Sequence, residues 1–210
     1  MLLSIRRLVN SCIINTFPLN LLPRKLFNLA NFFIASKFDR GSVDYLPISM
    51  DVEPTTACNF KCTMCAVSMP DFTAKNMNIE TFKKAIDDNP QLLKIKLQGL
   101  GEVLTNKQFF DMVKYAKESG VKEVAMVSNG ELLTSELAGQ LGDAGLDWIS
   151  FSADGLGEVY EKIRAPAKFH ETVDKVAHMK NYRDKRGLKK PLIRVQSILS
   201  AIKNDPDAFL

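Results

Sequence analysis

PISMDVEPTTACNFKCTMC, residues 47–65, runs from a strand-like segment directly into three cysteines. The segment PISMDVEPT reads as a strand. A dinucleotide-binding unit would follow it with Gly-x-Gly-x-x-Gly; here a loop of thiols follows instead. Downstream the pattern cycles. A helix is expected near 79–88, a strand at LLKIKLQG (92–99), and a helix over 107–118 that stops at Gly120. VKEVAMVSNG (121–130) is the third strand, and Thr134 caps a helix through Leu141, with Gly142 and Gly145 as stops. LDWISFSADG (146–155) is the fourth strand, followed by a helix over 169–186. LIRVQSILS (192–200) is the fifth strand, and Asn204-Asp205-Pro206 has the look of one more helix start. Strands alternating with helices every ~25–30 residues imply right-handed βαβ units and a parallel sheet. The expected class is α/β, a partial (β/α) TIM-like barrel whose chemistry gathers on loops at the C-terminal strand ends. Eight strands do not fit in 210 residues, so the barrel is expected to be truncated after the fifth strand.

Residues 1–45 differ in texture and are expected to form an N-terminal helical segment preceding a core over 46–210. SIRRLVNSCIINTF (4–17) and PRKLFNLANFFIASKF (23–38) place apolar residues at helical spacing, and Pro23 suits a helix start. This stripe is expected to pack under the barrel or against a neighbouring domain, with a membrane-surface helix as the lesser alternative. The chain is 46% hydrophobic and 25% charged, which suits a packed domain. No apolar run reaches the roughly 20 residues of a membrane helix, which excludes an integral membrane protein. The net charge of +4 comes from the N-terminal segment, and the body is neutral. A nucleic-acid partner therefore finds no basic stripe. LVNSCIINTFPLN (8–20) is interrupted by Asn and Ser and lacks a small-x-small cleavage site, so a signal peptide is not expected.

Cys58, Cys62 and Cys65 have the spacing Cys-x3-Cys-x2-Cys, and Cys12 lies far upstream. Three clustered thiols in a chain of this size read as metal ligands in a reducing cytoplasm rather than as a secreted disulfide framework. A [4Fe–4S] cluster normally takes four cysteines. Held by three, it keeps one iron open to a small molecule. Three alternatives stand beside this reading: a zinc site needing a fourth ligand, a disulfide with a spare thiol, and a cluster completed by Cys12. His170 and His178 lie on one expected helix and are assigned no role. Trp148 is expected in the core.

EPTTACNFKCTMC (53–65) resembles the first-strand loop of radical S-adenosylmethionine (radical SAM) enzymes, and later stretches fall in the family's order. LQGLGEVL (97–104) resembles the Gly-Gly-Glu-Pro motif after the second strand, VSNG (127–130) the third-strand ending, and SFSADG (150–155) the fourth. YEKIRAP (160–166) holds an arginine that often follows, and IRVQSIL (193–199) resembles the fifth strand. The likeness covers roughly residues 46–203 and is greatest to the subgroup with a second cluster-bearing C-terminal domain (SPASM or twitch type).

The resemblance implies a [4Fe–4S] cluster on Cys58, Cys62 and Cys65 and SAM bound beside it. It implies an enzyme that reductively cleaves SAM to a 5′-deoxyadenosyl radical for hydrogen abstraction, an oxidoreductase in broad terms. Gly99 and Gly101 would permit close backbone approach to a ligand. Glu102 would meet the methionine ammonium or anchor its loop. Ser128, Asn129, Ser152 and Asp154 would offer small polar groups to ribose or carboxylate, Arg164 would pair with the carboxylate, and Met64 would face the adenine edge. Met64 stands where the family usually has an aromatic residue, and Val103 where Pro usually follows Glu. Implied partners are a flavodoxin or ferredoxin reductant and a peptide or small-molecule substrate that the sequence does not name. A chain ending at Leu210 implies a separate chain completing the barrel or a shortened piece of a longer protein. The rival function is a catalytically incompetent fragment or accessory subunit that binds cluster or SAM within a split enzyme.

Overall fold

A computed structural model describes residues 22–38 and 43–198. Helix α1 (Leu22–Phe38) comes first, then β1 (Ser49–Val52), α2 (Ile79–Asp87), β2 (Lys94–Leu97), α3 (Phe109–Glu118) and β3 (Glu123–Ser128). After these come α4 (Ser135–Asp143), β4 (Trp148–Ser152), α5 (Gly157–Ile163), α6 (Phe169–Lys185) and β5 (Leu192–Gln196), with short 3-10 turns at Ala66–Ser68 and Val103–Thr105. The five strands form one wholly parallel sheet in sequence order, β1-β2-β3-β4-β5. This is the expected partial barrel. Helix α5 is an addition: only seven residues, it fell below the length at which apolar periodicity is legible. The expected helix over 4–17, Cys12 and the Asn204-Asp205-Pro206 start lie outside the described residues.

Local chemistry sets the element ends. Asn78 caps α2 by accepting from the Thr81 N–H at 2.8 Å, and Thr134 caps α4 by accepting from the Leu137 N–H. Gly120 follows α3 in the left-handed region that a helix C′ position favours. Register alternates the strand faces. Ile95, Leu97, Val124, Met126, Ile149 and Phe151 point to the helix-covered side and are fully buried with Phe82, Phe109, Met112 and Leu141. Lys94, Lys96, Glu123, Trp148, Ser150 and Arg194 fall on the opposite, concave side of the pleat.

Helix α1 closes the end of the sheet where the strands begin. Lys25 is buried, and its Nζ donates to the carbonyls of Leu92 (3.0 Å) and Gly120 (2.7 Å), which lie just before β2 and β3. Asn28 exchanges two hydrogen bonds with the Leu46 backbone, and Leu29 packs on Leu93 with Phe32, Phe33 and Ile48 around them. The family-like loops therefore emerge at the other end. Among the described residues, no helix is long and apolar enough to cross a membrane.

Candidate functional site

The cysteine loop leaves β1 and is held by backbone as much as by side chains. Its Lys61 and Thr63 N–H groups donate to the carbonyls of Ala165 (2.8 Å), just after α5, and of Ile163 (2.9 Å), the last residue of α5. Within the loop, Cys65 N–H donates to Cys62 O, and the Ser68 hydroxyl to the same carbonyl at 2.7 Å. Phe60 and Cys62 are buried against Tyr160 and Ala167, with Cys58, Cys65 and Phe169 at the edge of this small apolar cluster. The clamp by residues 163–165 has no sequence signature, because those residues contribute main-chain carbonyls, which accept from the Lys61 and Thr63 N–H groups and, at 3.5 Å, from the Thr63 hydroxyl.

The β2 loop lies directly on this loop. The Glu102 N–H donates to Ala57 O at 2.9 Å. A Cβ on Gly101 would stand 2.4 Å from the Thr55 carbonyl oxygen and 2.5 Å from that of Ala57, and one on Gly99 would collide with the Glu53 side chain. The glycines are thus required by the packing of this loop on β1's continuation. Val103 opens a 3-10 turn and is fully buried.

Glu102 ties three strand ends together. Its carboxylate accepts from Ser128 Oγ (2.9 Å), from Asn129 N–H (2.7 Å) and, more weakly, from Leu104 N–H (3.3 Å). At 2% exposure it is almost wholly desolvated. Burial pushes its carboxyl above the ordinary range, and the bonds from Asn129, Ser128 and Leu104 offset part of that rise. Of the two roles expected for Glu102, anchoring is the one visible in these bonds. Ser128 Oγ also accepts from Gly130 N–H, while the Asn129 side chain links Asn59 of the cysteine loop to Glu131. The Arg164 guanidinium is paired with Asp154, its Nη2 2.6 Å and its Nε 2.8 Å from one carboxylate oxygen, and the other oxygen accepts from Ile198 N–H.

These groups enclose a cavity of about 260 Å³, near the lower end of the ~300–1,000 Å³ range of small-molecule sites. The three cysteines, Met64, Gly99, Gly101, Glu102, Ser128, Asn129, Ser152 and Arg164 all line it. Asp154 does not: 1% exposed, it stands behind Arg164 as its support. Five lining residues escaped the sequence reading, namely Phe60, Gln98, Leu100, Val127 and Gln196. The alternation of β2 and β5 could have found the two glutamines, since both fall on the concave side.

The donor set suits a cluster. The three thiols are free of disulfides. Among the described residues, no three His, Cys, Asp or Glu side chains converge closely enough for a single metal ion. Tetrahedral zinc, with Zn–S near 2.3 Å, draws its sulfurs to about 3.8 Å of one another. A cubane puts each thiolate on a different iron and so needs a wider set. Burial raises the Cys58 thiol, with the Glu102 and Cys65 charges adding to it, and raises Cys62 against the opposing pull of Arg164. Metal binding there must displace protons.

Comparison with known proteins agrees with this geometry. The family model described as the Radical SAM superfamily matches residues 52–187. The tungsten-containing aldehyde ferredoxin oxidoreductase cofactor-modifying protein of Pyrococcus furiosus is 30% identical over 153 residues, covering 71% of this chain and 43% of that protein. Mycofactocin maturase MftC of Mycolicibacterium smegmatis is 28% identical over 151 residues, or 70% of this chain and 38% of its own length. This chain therefore spans less than half of either relative. Among solved structures, Streptococcus suis SuiB bound to S-adenosylmethionine superposes with a TM-score of 0.62 at 13% identity, covering 98% of this chain and 47% of SuiB. BtrN in complex with AdoMet and 2-DOIA gives 0.55 at 19%, covering 74% and 58%.

Proposed function

Because the chain belongs to the radical SAM superfamily, whose cofactors are a [4Fe–4S] cluster and SAM, we propose that Cys58, Cys62 and Cys65 hold the cluster and that the adjoining cavity binds SAM. When bound, the cluster supplies the electron that cleaves SAM to methionine and a 5′-deoxyadenosyl radical, which abstracts hydrogen from a substrate. The observation that supports this most is the convergence of three unpaired thiols with Glu102, Ser152 and Arg164 on one cavity.

The chain's own residues then have distinct tasks. Glu102 fixes the β2 and β3 loops in one geometry, and its Oε2 accepts one hydrogen bond in the structure, leaving a lone pair for the SAM ammonium. The Ser152 hydroxyl forms no hydrogen bond to another described residue and the side chain faces the cavity, so the hydroxyl is available to the SAM carboxylate or ribose. Arg164, held by Asp154, brings a fixed positive charge to the same side. Met64 offers an exposed apolar side chain to the adenine. Phe60 and Tyr160 keep water from the buried side of the thiols. The division into an N-terminal helical segment over 1–45 and a core over 46–210 belongs to the same proposal. So does a reducing, cytoplasmic setting, with a flavodoxin or ferredoxin as electron donor.

The test is anaerobic reconstitution with iron and sulfide, followed by dithionite and SAM. We expect 5′-deoxyadenosine from the wild-type chain and none from Cys62→Ala. Cluster and SAM both bound with no 5′-deoxyadenosine would instead assign binding without turnover, as in a subunit that completes its site with another chain.

A further inference from the structure

The concave face of the sheet carries two cations, Lys96 and Arg194, beside the Lys94–Glu123 ion pair. Register sets Lys96, Ala125 and Trp148 in one row across β2, β3 and β4, with Ser150 opposite Arg194 on β5. The Lys96 ammonium lies 5.9 Å and the Arg194 guanidinium 4.4 Å from the centroid of the same Trp148 ring. The carboxylates nearby are already engaged. Glu123 accepts from Trp148 Nε1 at 2.6 Å and pairs with Lys94 at 2.7 Å, and Asp51 accepts from Gln98 at 2.6 Å. Among the described residues, neither Lys96 nor Arg194 forms an ion pair. Lys and Arg rarely occupy the interior face of a parallel sheet without one.

We propose that Lys96 and Arg194, gathered over Trp148, are the subsite for an oxyanion on the substrate, a carboxylate or a phosphate. The proposal rests on the cavity above being the SAM site and names the class of molecule that meets it there. Gln98, Ser152 and Gln196 line that cavity, and each stands two residues further along its strand from Lys96, Ser150 and Arg194. Two strand residues rise about 6.6 Å. A molecule with its anionic group on the two cations therefore extends its remaining carbons to the cavity floor, where hydrogen would be abstracted. The fork of Arg194 and the point charge of Lys96 suit one oxyanion held from two sides. Arg164 lies on the cysteine-loop side, so the SAM carboxylate has a cation of its own.

Trp148 is the chain's single tryptophan, so its emission reports on this subsite. Cluster-free protein is titrated with inorganic phosphate, and separately with acetate, against sodium chloride at matched ionic strength. The expected result is a saturable change in Trp148 emission with phosphate or with acetate, whichever saturates naming the headgroup. Lys96→Gln and Arg194→Gln should each weaken it roughly tenfold, the loss of one charge-assisted contact, and Arg194→Lys should recover part of the difference. A change that tracks chloride, or one unaltered in both glutamine variants, overturns the proposal. The titration needs neither iron nor SAM. A chain that assembles its cluster but shows no oxyanion response would lose this subsite and keep the SAM reading.

Discussion

The two faces of one sheet have divided the work. On the helix side the inward residues of β2, β3 and β4 are buried, and all but Ser128 at the tip of β3 are apolar, from Ile95 to Phe151. On the concave side β2 to β5 present Lys94, Lys96, Glu123, Ser150, Ser152, Arg194 and Gln196, with Ala125, Val127 and Trp148 among them. Parallel strands covered on both faces read as continuous hydrophobic runs. Here the alternation is that of a sheet whose second face is kept polar. Stability is drawn from one side, so the other can carry ligands without a packed core to disturb.

That contrast can be broken most easily with neighbouring residues. Ile95→Ala should cost 2–5 kcal/mol in denaturant unfolding, because the fully buried side chain leaves a cavity. A loss below 1 kcal/mol would mean that the helix side is not the core. At the strand tips, Glu102→Gln keeps the shape but turns an amide donor toward one of the N–H or O–H groups that the carboxylate satisfies. We expect about 1–3 kcal/mol of destabilisation. Lys25→Met should cost a similar amount by leaving the buried Leu92 and Gly120 carbonyls without their ammonium donor. Unchanged melting in that variant would detach α1 from the sheet.

Smaller effects sharpen the polar side. Burial raises the Glu123 carboxyl, but its bonds from Lys94 and Trp148 prevail and leave it below the ordinary range. Its stabilising contribution is therefore complete above the usual carboxylate value of about 4.3 and is lost as pH falls through the lowered folded one. The site is half exposed, so the amount is under about 1 kcal/mol. Glu123→Gln should flatten the acid limb of the stability profile by that much, and an identical profile would remove the pair from the account. Lys96→Gln should change stability by no more than about 0.5 kcal/mol, against the large loss from its neighbour Ile95.

Much of this was legible in the sequence. Strand–helix alternation placed all five strands, and capping residues such as Thr134 and the Gly120 stop placed helix ends within a residue or two. The thiols, Gly99, Gly101 and Glu102 stood out because short motifs need particular residue types. What stayed hidden depended on long-range geometry. The clamp of residues 163–165 on the cysteine loop is made through main-chain carbonyls. Gly101 serves backbone packing between two loops that are 44 or more residues apart. Asp154 looked like a ligand because it sits at a strand tip, yet its carboxylate is consumed by Arg164 and Ile198. Lys25 counts in the sequence only toward the charge of the N-terminal segment, and the structure buries it beneath the sheet.

The central claim is that the cysteine loop carries a cluster with one iron left for SAM. Electron paramagnetic resonance of the reconstituted, dithionite-reduced chain, recorded with and without SAM, tests it most directly. The account predicts a reduced-cluster signal that changes shape when SAM is added and is absent from Cys58→Ala, Cys62→Ala and Cys65→Ala. A signal indifferent to SAM, or one surviving in all three variants, would contradict it.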